Sequence, residues 1–155
     1  MRKRLALAAA TVLVSGAGAA AWIAVSSSPA PAATTFTVIE HEGHDGVTGN
    51  GGESQGDIFW FYNPVYDDTD SIKVGSDQGM CIRMNPQKGT WQCSGTTFLE
   101  DGQLVVEGRV YDTKDSTLAV TGGTGSYSAA SGTMDVHCYT ADDGTGRCDF
   151  VFTLT

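Results

Sequence analysis

The run FWFYNP, residues 59–64, ends an aromatic stretch on an amide. Side chains of a strand alternate between its two faces, so Phe59, Phe61 and Asn63 share one face and Trp60 and Tyr62 the other. Pro64 biases Asn63 toward extended backbone and holds its amide at the end of the apolar stripe. A buried amide must be hydrogen-bonded, to backbone or to an ordered water, or it costs roughly 1–3 kcal/mol. A second polar cluster, His41, Glu42, His44 and Asp45, superficially has the content of a zinc motif. The metalloprotease form needs its two histidines on one face of a helix, and two glycines interrupt this segment. No metal site is expected. A serine nucleophile lacks its G-x-S-x-G elbow, and His137, next to Cys138, reads as a surface histidine.

The glycine-rich run TGGTGSYSAASG, residues 121–132, invites a phosphate-loop reading. Such loops need a following helix, whose free N–H groups and dipole hold the anion. Here the chain continues as TMDVHCY, which alternates like a strand. The run is expected to turn the chain from one strand to the next, with glycine supplying positive φ.

All four cysteines follow the N-terminal apolar segment. GMCIRM and TWQCSGTTFL flank the turn NPQKG, which sets Cys81 opposite Cys93 in a hairpin. DVHCYT and GRCDFVFTL flank ADDGT and set Cys138 opposite Cys148 in the same way. An even cysteine count in an exported domain favours disulfides, here Cys81–Cys93 and Cys138–Cys148 with no free thiol.

Export is read from the N-terminus. Arg2, Lys3 and Arg4 precede an apolar stretch over residues 5–25, and a small-residue cleavage site follows at residues 30–32. Residues 1–32 therefore read as a secretory signal, with an uncleaved membrane anchor through residues 1–25 as the alternative. Either reading makes the protein extracytoplasmic. Residues 33–155 then form one domain, long enough to bury a core. The chain holds 18 acids against 9 bases and carries a formal charge of −9. Three of those bases lie in the N-terminal leader. Such a surface repels phosphate backbones, so nucleic acid is an unsuitable partner.

No helical periodicity follows the leader. Short β-rich runs succeed one another, including TFTVIEH, DIFWFYN, QLVVEGRVY, STLAVT and RCDFVFTLT, punctuated by glycine, Asn-Pro and Asp-Gly. Eight or nine strands with short links predict an all-β domain, a single antiparallel barrel or sandwich. Residues 41–56 form the longest turn-rich stretch and read as a mobile surface loop.

From residue 56 onward the order of GDIFWFYNPVYD, IKVGSDQGMCI and VEGRVYDTKDSTLAVTGGTGSYSAASG resembles the allene oxide cyclases and their fold relatives, the dirigent proteins. The resemblance implies an eight-stranded antiparallel barrel with an internal apolar cavity, no cofactor and a homo-oligomeric assembly. It makes Asn63 the residue that helps hold a water near the substrate. It places Phe59, Phe61 and Cys81 on the cavity wall, and puts Val110 where the family has a ligand-contacting tyrosine. Glu40 is the counterpart of the family's first-strand acid. A one-residue slip would turn it to solvent, and a solvated strand-end carboxylate is the alternative. A lumenal carboxylate would be desolvated, its pKa would rise, and it would serve as proton shuttle or electrostatic partner.

The leading functional expectation is an exported, cofactor-free isomerase or cyclase. It would fold a hydrophobic, lipid-like or polyketide-like substrate for ring closure, largely by shape and entropy. The alternative is a dirigent-like or carrier barrel that binds a hydrophobic small molecule without turnover. A structural domain with a filled core is the third reading.

Overall fold

Alternation along the third strand sets the architecture. In a computed structural model, which describes residues 32–155, Asn63 and Val65 are buried and Phe59 and Phe61 half-buried, while Trp60 and Tyr62 are exposed. The expected parity therefore holds. The signal or anchor assigned to residues 1–32 lies, but for its last residue, outside the described residues.

Nine strands follow one another: β1 (Thr34–His41), β2 (His44–Val47), β3 (Ile58–Tyr66), β4 (Lys73–Asn85), β5 (Thr90–Leu99), β6 (Gly102–Tyr111), β7 (Ser116–Gly125), β8 (Gly132–Thr140) and β9 (Gly146–Leu154). From β3 to β9 each strand pairs antiparallel with the next, as short polar connections between β-branched and aromatic runs dictate. β1 returns to β9, from Thr34↔Leu154 to His41↔Arg147. The tail of β1 then meets β3 at Ile39↔Tyr66 and Glu40↔Val65, and β2 takes over the same edge from His44↔Tyr62 to Val47↔Phe59. The result is a closed eight-stranded antiparallel barrel with one extra strand. Closure leaves no long free edge.

Part of the interior is filled. Phe152, Leu104, Val65 and Thr97 are fully buried, and Phe36 stacks on Phe152 with ring centroids 5.1 Å apart. The glycine-rich run ends β7 at Gly125 and turns the chain through residues 126–131 into β8, strand to strand as expected. At Gly125 φ is +60°, and a Cβ there would lie 2.2 Å from the Asp101 carbonyl oxygen, so only glycine fits.

Residues 41–56 depart from the expected mobile loop. Four of them are β2, and the rest is tied down. The Asp57 carboxylate accepts the backbone N–H groups of Asn50, Gly52 and Ser54 at 3.0–3.1 Å. The Arg83 guanidinium donates from Nε to the Gly52 carbonyl at 2.6 Å and from Nη1 to both Asp112 oxygens. It also lies 3.9 Å from the centre of the Trp91 ring. Arg83 is 7% exposed, and a buried guanidinium is tolerated only when paired in this way.

Both expected disulfides are present. Cys81 and Cys93 face each other in the β4–β5 register, as do Cys138 and Cys148 between β8 and β9. No free cysteine remains.

Candidate active site

The unfilled part of the barrel is a cavity of about 350 Å³. Its walls are mainly apolar, with Phe59, Phe61, Val106, Leu118, Met134 and Phe150 among the lining residues. Cys81, Cys93 and Val110 also line it, so every residue expected on the wall is there. The exposed lining residues Glu42, Asp45 and Tyr139 mark where it meets solvent.

Glu40 faces the lumen and is 8% exposed, which settles the register in favour of the inward setting. Asn63 lies beside it. Its Oδ1 accepts the backbone N–H groups of Gly43 at 2.9 Å and His44 at 3.1 Å. With the oxygen committed, the amide nitrogen is directed to Glu40 and donates to Oε1. Of the options left open by its sequence position, Asn63 takes the backbone one, and its amide nitrogen adds a carboxylate partner that the sequence reading had not named. It anchors the β1–β2 junction through backbone bonds, and it orients a carboxylate.

The residue that sequence reading missed is Asp77. It stands across from Asn63 in the β3–β4 register, is 3% exposed, and its Oδ1 has no hydrogen-bond partner among the described residues. Burial, with the nearby Glu40 charge adding to it, pushes the Asp77 carboxyl up to about 8, against the bond from its own backbone N–H. Burial also raises Glu40, and the Asn63 hydrogen bond opposes that rise. Asp45 and Glu42 add repulsion, and His41 slightly relieves it. Two carboxyls in one low-dielectric cavity resist simultaneous ionisation, so near neutral pH the pair retains a proton. Asp77 is placed to donate it. Glu40, its ionised form supported by an N–H donor, is placed to accept one.

The other polar candidates are directed elsewhere. His41 pairs with Asp70 and stacks on Tyr66 with centroids 4.0 Å apart, while Glu42 accepts the Gly146 N–H at 3.2 Å. His137 is on the surface and bonds Asp115 at 2.7 Å.

Phe61 has its place on the wall because of a glycine. A Cβ built on Gly79 would sit 2.6 Å from Phe61 Cζ and 2.5 Å from the Ser94 carbonyl oxygen. Gly79→Ala should therefore push Phe61 into the lumen and cost about 1–3 kcal/mol, the usual range for overpacking. Urea denaturation measures the cost. An unchanged midpoint would show that the Phe61 ring is not held by this contact.

The comparisons with known proteins bear on the family and the fold. The Dirigent-like protein family profile matches residues 23–154. That match and the barrel are consistent with the allene oxide cyclase-like and dirigent barrel superfamily. The chain belongs to the dirigent-like protein family. Among solved structures, a pyocyanin demethylase is 26% identical with a TM-score of 0.67, over 79% of this chain and 100% of that one. A pterocarpan synthase dirigent protein has the same TM-score at 18% identity, over 86% of this chain and 98% of its own. The exo-specific intermolecular Diels-Alderase AbnU aligns with a TM-score of 0.62 at 16% identity, over 79% of this chain and 98% of its own. The last two likenesses concern the fold alone. No curated protein matches the sequence significantly.

Proposed function

We propose that the protein is an isomerase or cyclase acting on a hydrophobic small molecule, with Asp77 and Glu40 as its acid–base pair and Asn63 as the residue that positions Glu40. The observation that carries this reading is the pair of buried carboxyls, one with an oxygen that has no hydrogen-bond partner among the described residues, in a mainly apolar cavity. In an isomerisation, Asp77 gives its proton to the substrate atom that gains electron density, and Glu40 removes a proton from the atom that loses it. No atom is gained or lost overall, and the pair resets by moving one proton from Glu40 to Asp77. The apolar wall supplies the folded conformation of a lipid-like or polyketide-like substrate. Structures of this fold named as a demethylase, a Diels-Alderase and a pterocarpan synthase dirigent protein support a role in small-molecule chemistry. The two disulfides support an oxidising, extracytoplasmic setting.

The test is turnover of reactive epoxides and conjugated polyenes by the purified protein. Glu40→Gln, which keeps the shape and removes the base, should lower kcat by at least about 100-fold. The carrier reading predicts binding with no turnover by either form. The family's dirigent members favour it as the second reading.

A further inference from the structure

We propose that the cavity is specific for a hydrophobic cation, a flat aromatic ligand carrying a positive charge or a basic nitrogen, recognised by Glu40 and Asp77 within the aromatic wall of Phe59 and Phe61. This goes beyond the lipid-like or polyketide-like substrate named above and rests only on the barrel interior being a small-molecule site.

The charge inventory of the cavity comes first. Its lining includes four carboxyl groups, Glu40, Glu42, Asp45 and Asp77, and one guanidinium, Arg147. Arg147 is already committed. Its Nε lies 3.1 Å from Asp70 and its Nη2 3.1 Å from Asp143. Among the described residues no salt bridge reaches Glu40 or Asp77, and Asp77 Oδ1 has no hydrogen-bond partner. A buried carboxyl without a partner is costly, and a ligand that brings a cation or an N–H removes that cost.

The wall supplies the second half of the recognition. Phe59 and Phe61 stack with centroids 5.8 Å apart, and both line the cavity. Their ring faces carry negative charge and attract a cation at close range. An anionic ligand meets the opposite field and is disfavoured throughout. A basic nitrogen takes the proton from Asp77 and becomes the ion pair. A permanent cation displaces that proton into solvent.

The pH dependence follows from the groups around the pair. His41 on β1, Glu42 just after it, Asp45 on β2, Asp77 on β4, Tyr139 on β8 and Arg147 on β9 are the charged or titratable groups near Glu40, and the lining residues of β3 and β5 add none. Asp77 keeps its proton up to about 8 in the empty site. Binding of a permanent cation must therefore release that proton below pH 8, and affinity falls as pH falls. Binding of a neutral ring system is indifferent to pH.

Three probes of matched shape test this by fluorescence titration of the purified protein: N-methylacridinium, 9-methylanthracene and anthracene-9-carboxylate. At pH 8.5 the cation is expected to bind at least about tenfold tighter than the neutral hydrocarbon, about 1.4 kcal/mol, and the anion most weakly. The cation's advantage is expected to shrink toward pH 6 and to disappear in the double variant Glu40→Gln/Asp77→Asn. An advantage that survives in that variant belongs to the acidic surface and overturns the proposal. Equal binding of cation and hydrocarbon overturns the charge preference but leaves the apolar small-molecule cavity standing. Failure of all three probes to bind overturns the cavity reading as well.

Discussion

Replacing Asp77 by Asn is expected to raise the melting temperature at pH 8 and to abolish turnover. The carboxyl has an ordinary value of 3.8 when exposed and is pushed up to about 8 in the folded protein. Between those values the folded state holds a proton that the unfolded state has released. Stability therefore declines as pH rises from about 4 to about 8, by up to about 1.4 kcal/mol per pH unit, and is level above that. Asparagine matches the protonated acid in shape and stays neutral at every pH, so the variant escapes the decline. Its advantage should be near zero at pH 3, well below both values, and reach several kcal/mol at pH 8. One kcal/mol moves the melting point of a domain this size by roughly 3–6 °C, so a gain of more than 5 °C is expected at pH 8. Thermal melts across that range decide the matter. A uniform loss of stability at all pH values would make Asp77 a structural residue and remove it from the site.

Loss of either disulfide should cost about 3 kcal/mol by the loop-entropy estimate, since the bridged residues are 12 and 10 apart in sequence. The two bridges are not equivalent. Cys81 and Cys93 are 7% and 5% exposed, within the core that packs the barrel wall, whereas Cys138 is exposed. Cys81→Ala/Cys93→Ala should therefore be the more damaging pair, because it loses buried sulfur contacts as well as the cross-link. Cys138→Ala/Cys148→Ala should lower the melting temperature less. If the two double variants melt together, the cross-link alone accounts for the stabilisation. If both melt like the parent, the barrel is stable without them.

Much of this was legible in the sequence, and the failures have physical causes. The alternation in FWFYN fixed the parity of Phe59, Phe61 and Asn63, because an aromatic run ending on an amide reads the same in any register of the neighbouring strands. The disulfides were legible because short polar turns force hairpins, and hairpins set residues opposite each other. Asp77 was hidden by an inverted strand. On β4 the outward residues Met80, Ile82 and Met84 are apolar and exposed at 40–51%, while the inward ones are Asp77, Gly79, Cys81 and Arg83. A hydropathy pattern points the wrong way there. Parity from a lumenal Cys81, four residues on, was the one signal that would have found the acid. β2 was concealed by glycine and charge, because its place depends on the β3 edge that β1 vacates rather than on its own propensity.

The pairing of β1 with β9 has a kinetic consequence. Strands β3 to β9 are joined to their neighbours by hairpins, so their contacts close short loops and form early in an entropic sense. The β1–β9 ladder instead unites Thr34 with Leu154, nearly the full length of the barrel domain. Contacts of such sequence separation are slow to form. Closure by β1 is accordingly the expected late step of folding, and Glu40 travels on that strand. The open sheet already carries Asn63 opposite Asp77 but has neither the lumen nor Glu40. The paired carboxyls and the cavity that buries them therefore arrive together, at barrel closure.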